Sequence, residues 1–124
     1  MPANTVAPFF KPGQDITGHA TEDITGKRFV TAAPGGRGTL PHIAPAAAGD
    51  PVLGVAGHDV EDGDNVHVHV AGVVTVTAAD DITAGTEVSV GADGQVAPTS
   101  EGAVVVGYAV ANAATGADAP ILLK

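Results

Sequence analysis

The chain has 124 residues, the length of a single domain, and holds 23 Ala, 18 Val and 17 Gly against 3 Phe, 1 Tyr, 1 Met and no Trp. A formal net charge of −9 repels phosphate backbones and anionic bilayers, which argues against nucleic-acid and membrane partners. With no Cys, disulfide staples, thiolate metal sites and thiol catalysis are excluded.

Small apolar side chains each bury little area, at roughly 25 cal/mol per Å², so the core is expected to be thin and completed by partner subunits. Charge is divided unevenly along the chain. Residues 1–37 hold Lys11, Lys27, Arg28 and Arg37 against three acids, whereas residues 38–124 hold Lys124 against eleven. The start, Met1-Pro2-Ala3-Asn4, shows no basic region followed by an apolar run, so the product is expected to be soluble and made in the cytoplasm. No stretch reaches the 18 or so apolar residues of a transmembrane helix.

Residues 1–22 read as an extended N-terminal arm and lead-in. Pro2, Pro8 and Pro12 favour extended backbone. Phe9 and Phe10 stand side by side there. Two readings stay open: the arm folds back and plugs the barrel, or it reaches out and inserts a Phe into a neighbouring protein.

From residue 23 to 124 the sequence reads as one all-β domain. Gly and Pro punctuate short β-branched runs, and strands are expected at 28–32, 39–43, 52–57, 65–71, 73–77, 86–90, 95–97, 104–111 and 120–123. Asp62-Gly63, Asp93-Gly94 and Thr115-Gly116 mark turns between them, and Gly72 marks a bulge or bend. Eight or nine short strands with tight turns describe a compact β-barrel or sandwich.

Two degenerate copies of one β unit are visible, about 23–77 and 81–124. Asp23-Ile24-Thr25 returns as Asp81-Ile82-Thr83, Ala44-Pro45 as Ala97-Pro98, and Val52-Leu53-Gly54-Val55-Ala56 as Val105-Val106-Gly107-Tyr108-Ala109. The first copy is expected to carry an insertion around residues 44–51. Packing about a pseudo-two-fold axis with one shared core is the simplest expected arrangement.

His67 and His69 alternate with Val66, Val68 and Val70, so on a strand both imidazoles leave by one face. Barrel metal sites use that spacing, and imidazole suits Zn, Fe, Ni or Cu. These two are the candidate metal ligands, against a plain solvated or interface face. Where a cupin pattern wants a Glu, the chain has Val73 and Val74. The run from Asp59 to Asn65 fails as a calcium loop, because the sixth and twelfth positions are Asp64 and Val70. Ser89 and Ser100 lie in no nucleophile-elbow context, and no phosphate-binding Gly loop ending in Lys is present. No modifiable Lys sits at a hairpin tip where a lipoyl or biotinyl carrier needs one. The expectation is a non-enzymatic protein without a cofactor.

Pro51-Val52-Leu53-Gly54-Val55-Ala56, a polar turn, Val66 to Val70 and then Ala71-Gly72-Val73 resemble the core signature of tailed-phage capsid decoration proteins, also called cement or head-stabilisation proteins. Asp81 to Val88, the Ala92-Asp93-Gly94-Gln95-Val96 hairpin and Val106-Gly107-Tyr108-Ala109 are similar to the second half of many of them. The resemblance implies a structural β domain on the outer surface of the virion capsid, often a homotrimer, that bridges major capsid subunits. Contact with capsid or neighbouring subunits is then expected from the mildly basic N-terminal third, through Val6, Phe9, Phe10, Lys11, Lys27, Arg28 and Arg37. A phage or bacterial adhesin domain and a small cupin-like metalloprotein are the alternatives.

Overall fold

The computed structural model describes residues 15–36 and 40–123. Ten strands fall into two successive five-stranded units. The first contains β1 (Ile16–Ala20), β2 (Phe29–Ala32), β3 (His42–Pro45), β4 (Gly54–Ala56) and β5 (Asn65–His69). It closes as a barrel in the order β1-β3-β2-β4-β5, with β1 antiparallel to β5 and parallel to β3. The second contains β6 (Val73–Thr77), β7 (Glu87–Val90), β8 (Val96–Pro98), β9 (Gly107–Ala109) and β10 (Asp118–Leu123), in the order β6-β10-β9-β7-β8. One parallel bridge, Ala78 to Val96, links its two edges. That bridge stands where β1 meets β3 in the first unit, at Ala20 and Ile43.

The registers superpose pair by pair. Phe29 faces Val55 as Glu87 faces Tyr108, and Val55 faces His69 as Tyr108 faces Leu122. Ile16 faces Val68 as Val74 faces Ile121. Val30 and Val88 are 58 residues apart, whereas Gly54 and Gly107 are 53 apart. The first copy therefore has five extra residues, and they lie between β2 and β3. An insertion at 44–51 is ruled out, because Pro45 and Gly54 are as far apart as Pro98 and Gly107.

Two boundaries expected from the sequence are corrected. Residues 16–20 are not part of an arm: β1 hydrogen-bonds on both sides inside the first barrel. Its Gly18 hid it, because glycine weakens a strand signal. Here a Cβ at Gly18 would lie 2.8 Å from Ile43 Cδ1, so only glycine lets β3 pack so closely. The run 73–77 belongs to the second unit, where β6 pairs with β10 along five residues. Gly72, with φ of 84°, makes the bend between the units.

Each unit has its own interior. Ile16, Ala20, Ile24, Val30, Ile43, Ala56, Val66 and Val68 fill the first. Val76, Ala78, Ile82, Val88, Val90, Val96, Ala109, Ala119 and Ile121 form most of the second cluster, which also takes in Phe29, Ala46 and Val55 from the first unit. Those three cross the seam. Phe29 is fully buried there, and burying an aromatic ring removes more apolar area than any Val or Ala in this chain.

The seam is not two-fold symmetric. A two-fold axis would bury Glu87 and Tyr108 as deeply as their counterparts Phe29 and Val55, yet both are exposed. The units meet head to tail, in place of the expected pseudo-two-fold pair around one core. Backbone bonds run across the seam from Thr77 N–H to the Lys27 carbonyl (2.9 Å), from Gly49 N–H to Val90 (2.9 Å) and from Val104 N–H to Gly49 (3.1 Å).

Candidate functional site

At one end of each unit, an aspartate clamps the polar turn. Ile24 bridges Val60 and Ile82 bridges Ala113, with both isoleucines buried. Beside them, Asp23 Oδ1 accepts the Asp62 N–H at 3.0 Å, and Asp81 Oδ1 accepts the Thr115 N–H at 2.9 Å and the Thr115 hydroxyl at 3.0 Å. The Asp81 carboxyl is held below the ordinary aspartate range, first by the backbone N–H of Thr115 and then by its hydroxyl. The repeated Asp-Ile-Thr is thus a structural clasp.

All five histidines lie on the first unit. Strand alternation sends Val66 and Val68 inward and His67 and His69 outward, as their spacing predicts. Asp15, just before β1, sits beside them. Its Oδ1 lies 2.8 Å from His69 Nδ1, and its Oδ2 lies 4.0 Å from His67 Nδ1. On the same outer face, His19 Nδ1 bonds Asn65 Oδ1 at 3.0 Å and its ring lies 5.1 Å from that of His42. The result is a polar, hydrogen-bonded belt. Among the described residues, no group of three or more His, Asp or Glu side chains is arranged to hold a metal ion.

Lys27 and Arg28, expected to face a partner, stand at the seam. Lys27 Nζ pairs with Asp118 Oδ2 at 2.8 Å, and Arg28 Nη1 donates to the Asp93 carbonyl at 3.3 Å. Arg28 also borders a cavity of about 520 Å³ together with Asp23, Phe29, Pro45, Ala46 and Asp93. Its Nε is buried with no protein partner. Val6, Phe9, Phe10, Lys11 and Arg37 lie outside the described residues.

The second unit presents a different surface at the matching place. On the outer face of β6, β10 and β9, Val73 faces Leu122 and Leu122 faces Tyr108. Two residues along, Val110 N–H bonds the Pro120 carbonyl at 3.1 Å. Val73 is 57% exposed, Tyr108 43% and Val110 42%. A groove of about 320 Å³ runs between Glu87, Gly107, Tyr108, Leu122 and Leu123. The sequence places Val73 and Leu122 on strands without assigning them a face, and so does not single out this patch. The signal was present in the alternation of Val73-Val74-Thr75-Val76-Thr77, which sends Val74 and Val76 inward and Val73 outward.

Neither surface pairs a nucleophile with a base among the described residues; both are faces suited to contact. The phage cement protein family matches this sequence over residues 10–124. This chain belongs to the phage cement protein family. It is a structural, capsid-associated phage protein, located on the virion capsid. Among solved structures it is similar to the N base of head fiber gp8.5 in bacteriophage phi29. The TM-score is 0.75 and the identity 27%, over 90% of this chain and 93% of that one. No curated protein matches it.

Proposed function

We propose that this phage protein is a non-enzymatic cement that sits on the outer surface of the capsid as a homotrimer and bridges major capsid subunits. The observation that supports this most directly is the family match, which spans residues 10–124. The thin core, made of Val, Ile and Ala with Phe29 as its single buried aromatic among the described residues, suits a protein that shares stability with its neighbours. The acidic body turns to solvent, and the shell is contacted through the N-terminal segment bearing Val6, Phe9, Phe10 and Lys11 and through Arg37.

The test mixes purified protein with expanded capsids and images them, using the full chain and a chain lacking residues 1–14. The full chain should decorate the capsids. The truncated chain should keep its β-sheet spectrum and lose decoration. Undiminished decoration by the truncated chain removes the N-terminal segment from the contact, and no decoration by either removes the cement reading.

A further inference from the structure

The two units carry the same surface in two different states. In the first unit, the outward row Phe29–Val55–His69 runs across β2, β4 and β5. The second unit covers the Phe29–Val55 end, leaving those residues 0% and 1% exposed. In the second unit the equivalent row is Glu87–Tyr108–Leu122, extended by Val73. Nothing within the described chain covers it. The repeat thus has a docking face, used once inside the chain and open once.

We propose that the open face, built from Val73, Tyr108, Val110 and Leu122, receives the first unit of a second copy of this chain. This rests on the self-association in the proposed function and names its surface. Three observations on the molecule support that occupant. The face is the positional counterpart of one that already binds a β unit, so the new contact continues an interface the fold has made. The intrachain contact is head to tail, and a head-to-tail contact leaves a free face at the end of each chain until further copies close a ring. Connectivity selects the unit: the interior cluster of the second unit is already capped by Phe29 and Val55 of its own chain, so the unit left free to enter the open face is the first unit of another copy.

Apolar area drives the contact, and the aromatic ring is its anchor. Tyr108 is the one Tyr of the chain, and an exposed Tyr flanked by Val and Leu is a common centre of binding energy. Substituting exposed residues here leaves the interior of the second unit untouched, so the variants should fold.

The experiment measures solution mass across a concentration series for the full chain, Tyr108→Glu, Val73→Glu and, on the histidine face of the first unit, Thr17→Glu. Capsid decoration is scored in parallel. The full chain should associate, Tyr108→Glu and Val73→Glu should each weaken association at least tenfold, and Thr17→Glu should not. Backbone hydrogen exchange at 73–75 and 107–110 in the unaltered chain should slow as concentration rises, which tests the face without any substitution. An oligomer unaffected by Tyr108→Glu and Val73→Glu, with unchanged exchange, places the contact elsewhere; the proposal falls and the trimer reading stands. A full chain that stays monomeric both free and on capsids overturns both. Variants that keep their mass but lose capsid decoration assign the face to the shell and overturn the proposal alone. Association lost on removing residues 1–14, with exchange at the face unchanged, likewise overturns it.

Discussion

The first and second units share a backbone plan and differ in what they turn outward. Positions that set the plan are held in both. Gly54 and Gly107 each lie where a Cβ would press on the carbonyl of the neighbouring strand, at His69 and Leu122. Asp23 and Asp81 clasp the same turn. Outward positions have diverged freely: Phe29 against Glu87, Val55 against Tyr108, His69 against Leu122. Interior packing constrains a side chain from all directions, whereas an outward residue answers only to its partner. The difference between the units therefore maps what each one touches.

That comparison is most sharply broken at Phe29. Phe29→Ala should cost about 3–5 kcal/mol in chemical denaturation, because it opens a cavity at the seam. Glu87→Ala, at the equivalent place, should stay within about 0.5 kcal/mol. If the two substitutions cost the same, the seam does not depend on this ring.

Gly54→Ala and Gly107→Ala should behave alike, in contrast to the first pair. Each forces a methyl group against a strand carbonyl, at about 1–3 kcal/mol. A large loss at one and none at the other would show that the two units are not under the same packing constraint.

Smaller effects belong to the charged groups. Lys27→Ala should cost at most about 1 kcal/mol, since Lys27 and Asp118 are about half exposed, and the loss should shrink as salt is raised. Denaturation at low and high ionic strength measures it. For Asp81, the folded carboxyl titrates below its ordinary value of 3.8. Its stabilising contribution is therefore present above that value and is lost as pH falls through the lower folded one. Asp81→Asn should flatten the acid side of a melting-temperature profile slightly. An unchanged profile would remove the clasp from the acid response.

Much of this fold was legible because β-sheet physics is local at the right places. Positive-φ turn glycines and the two-residue alternation located nine of the strands within a few residues. β1 was missed because Gly18 answers to Ile43, a residue 25 positions away that a local pattern does not see. The five-residue insertion was misplaced for a related reason, since only cross-strand register shows that Pro45 and Pro98 correspond. Among site residues, the outward pair His67 and His69 followed from alternation, but Asp15 as their partner did not. Carboxylate and imidazoles meet across two strands, and that distance is invisible along the chain. The apolar face around Tyr108 was hidden by composition: in a chain so rich in Val, an outward Val looks like one more core residue until the strand register is known.

Residues 70–72 are all that separate β5 from β6. A tether that short fixes the local concentration of one unit around the other at about the millimolar level, so the seam needs only weak intrinsic affinity to form on nearly every chain. The equivalent open face has no tether. Its occupancy rises with the concentration of copies, and a shell that repeats the same attachment site many times over raises that concentration locally. A pairing that is partial in dilute solution then becomes saturated on the capsid.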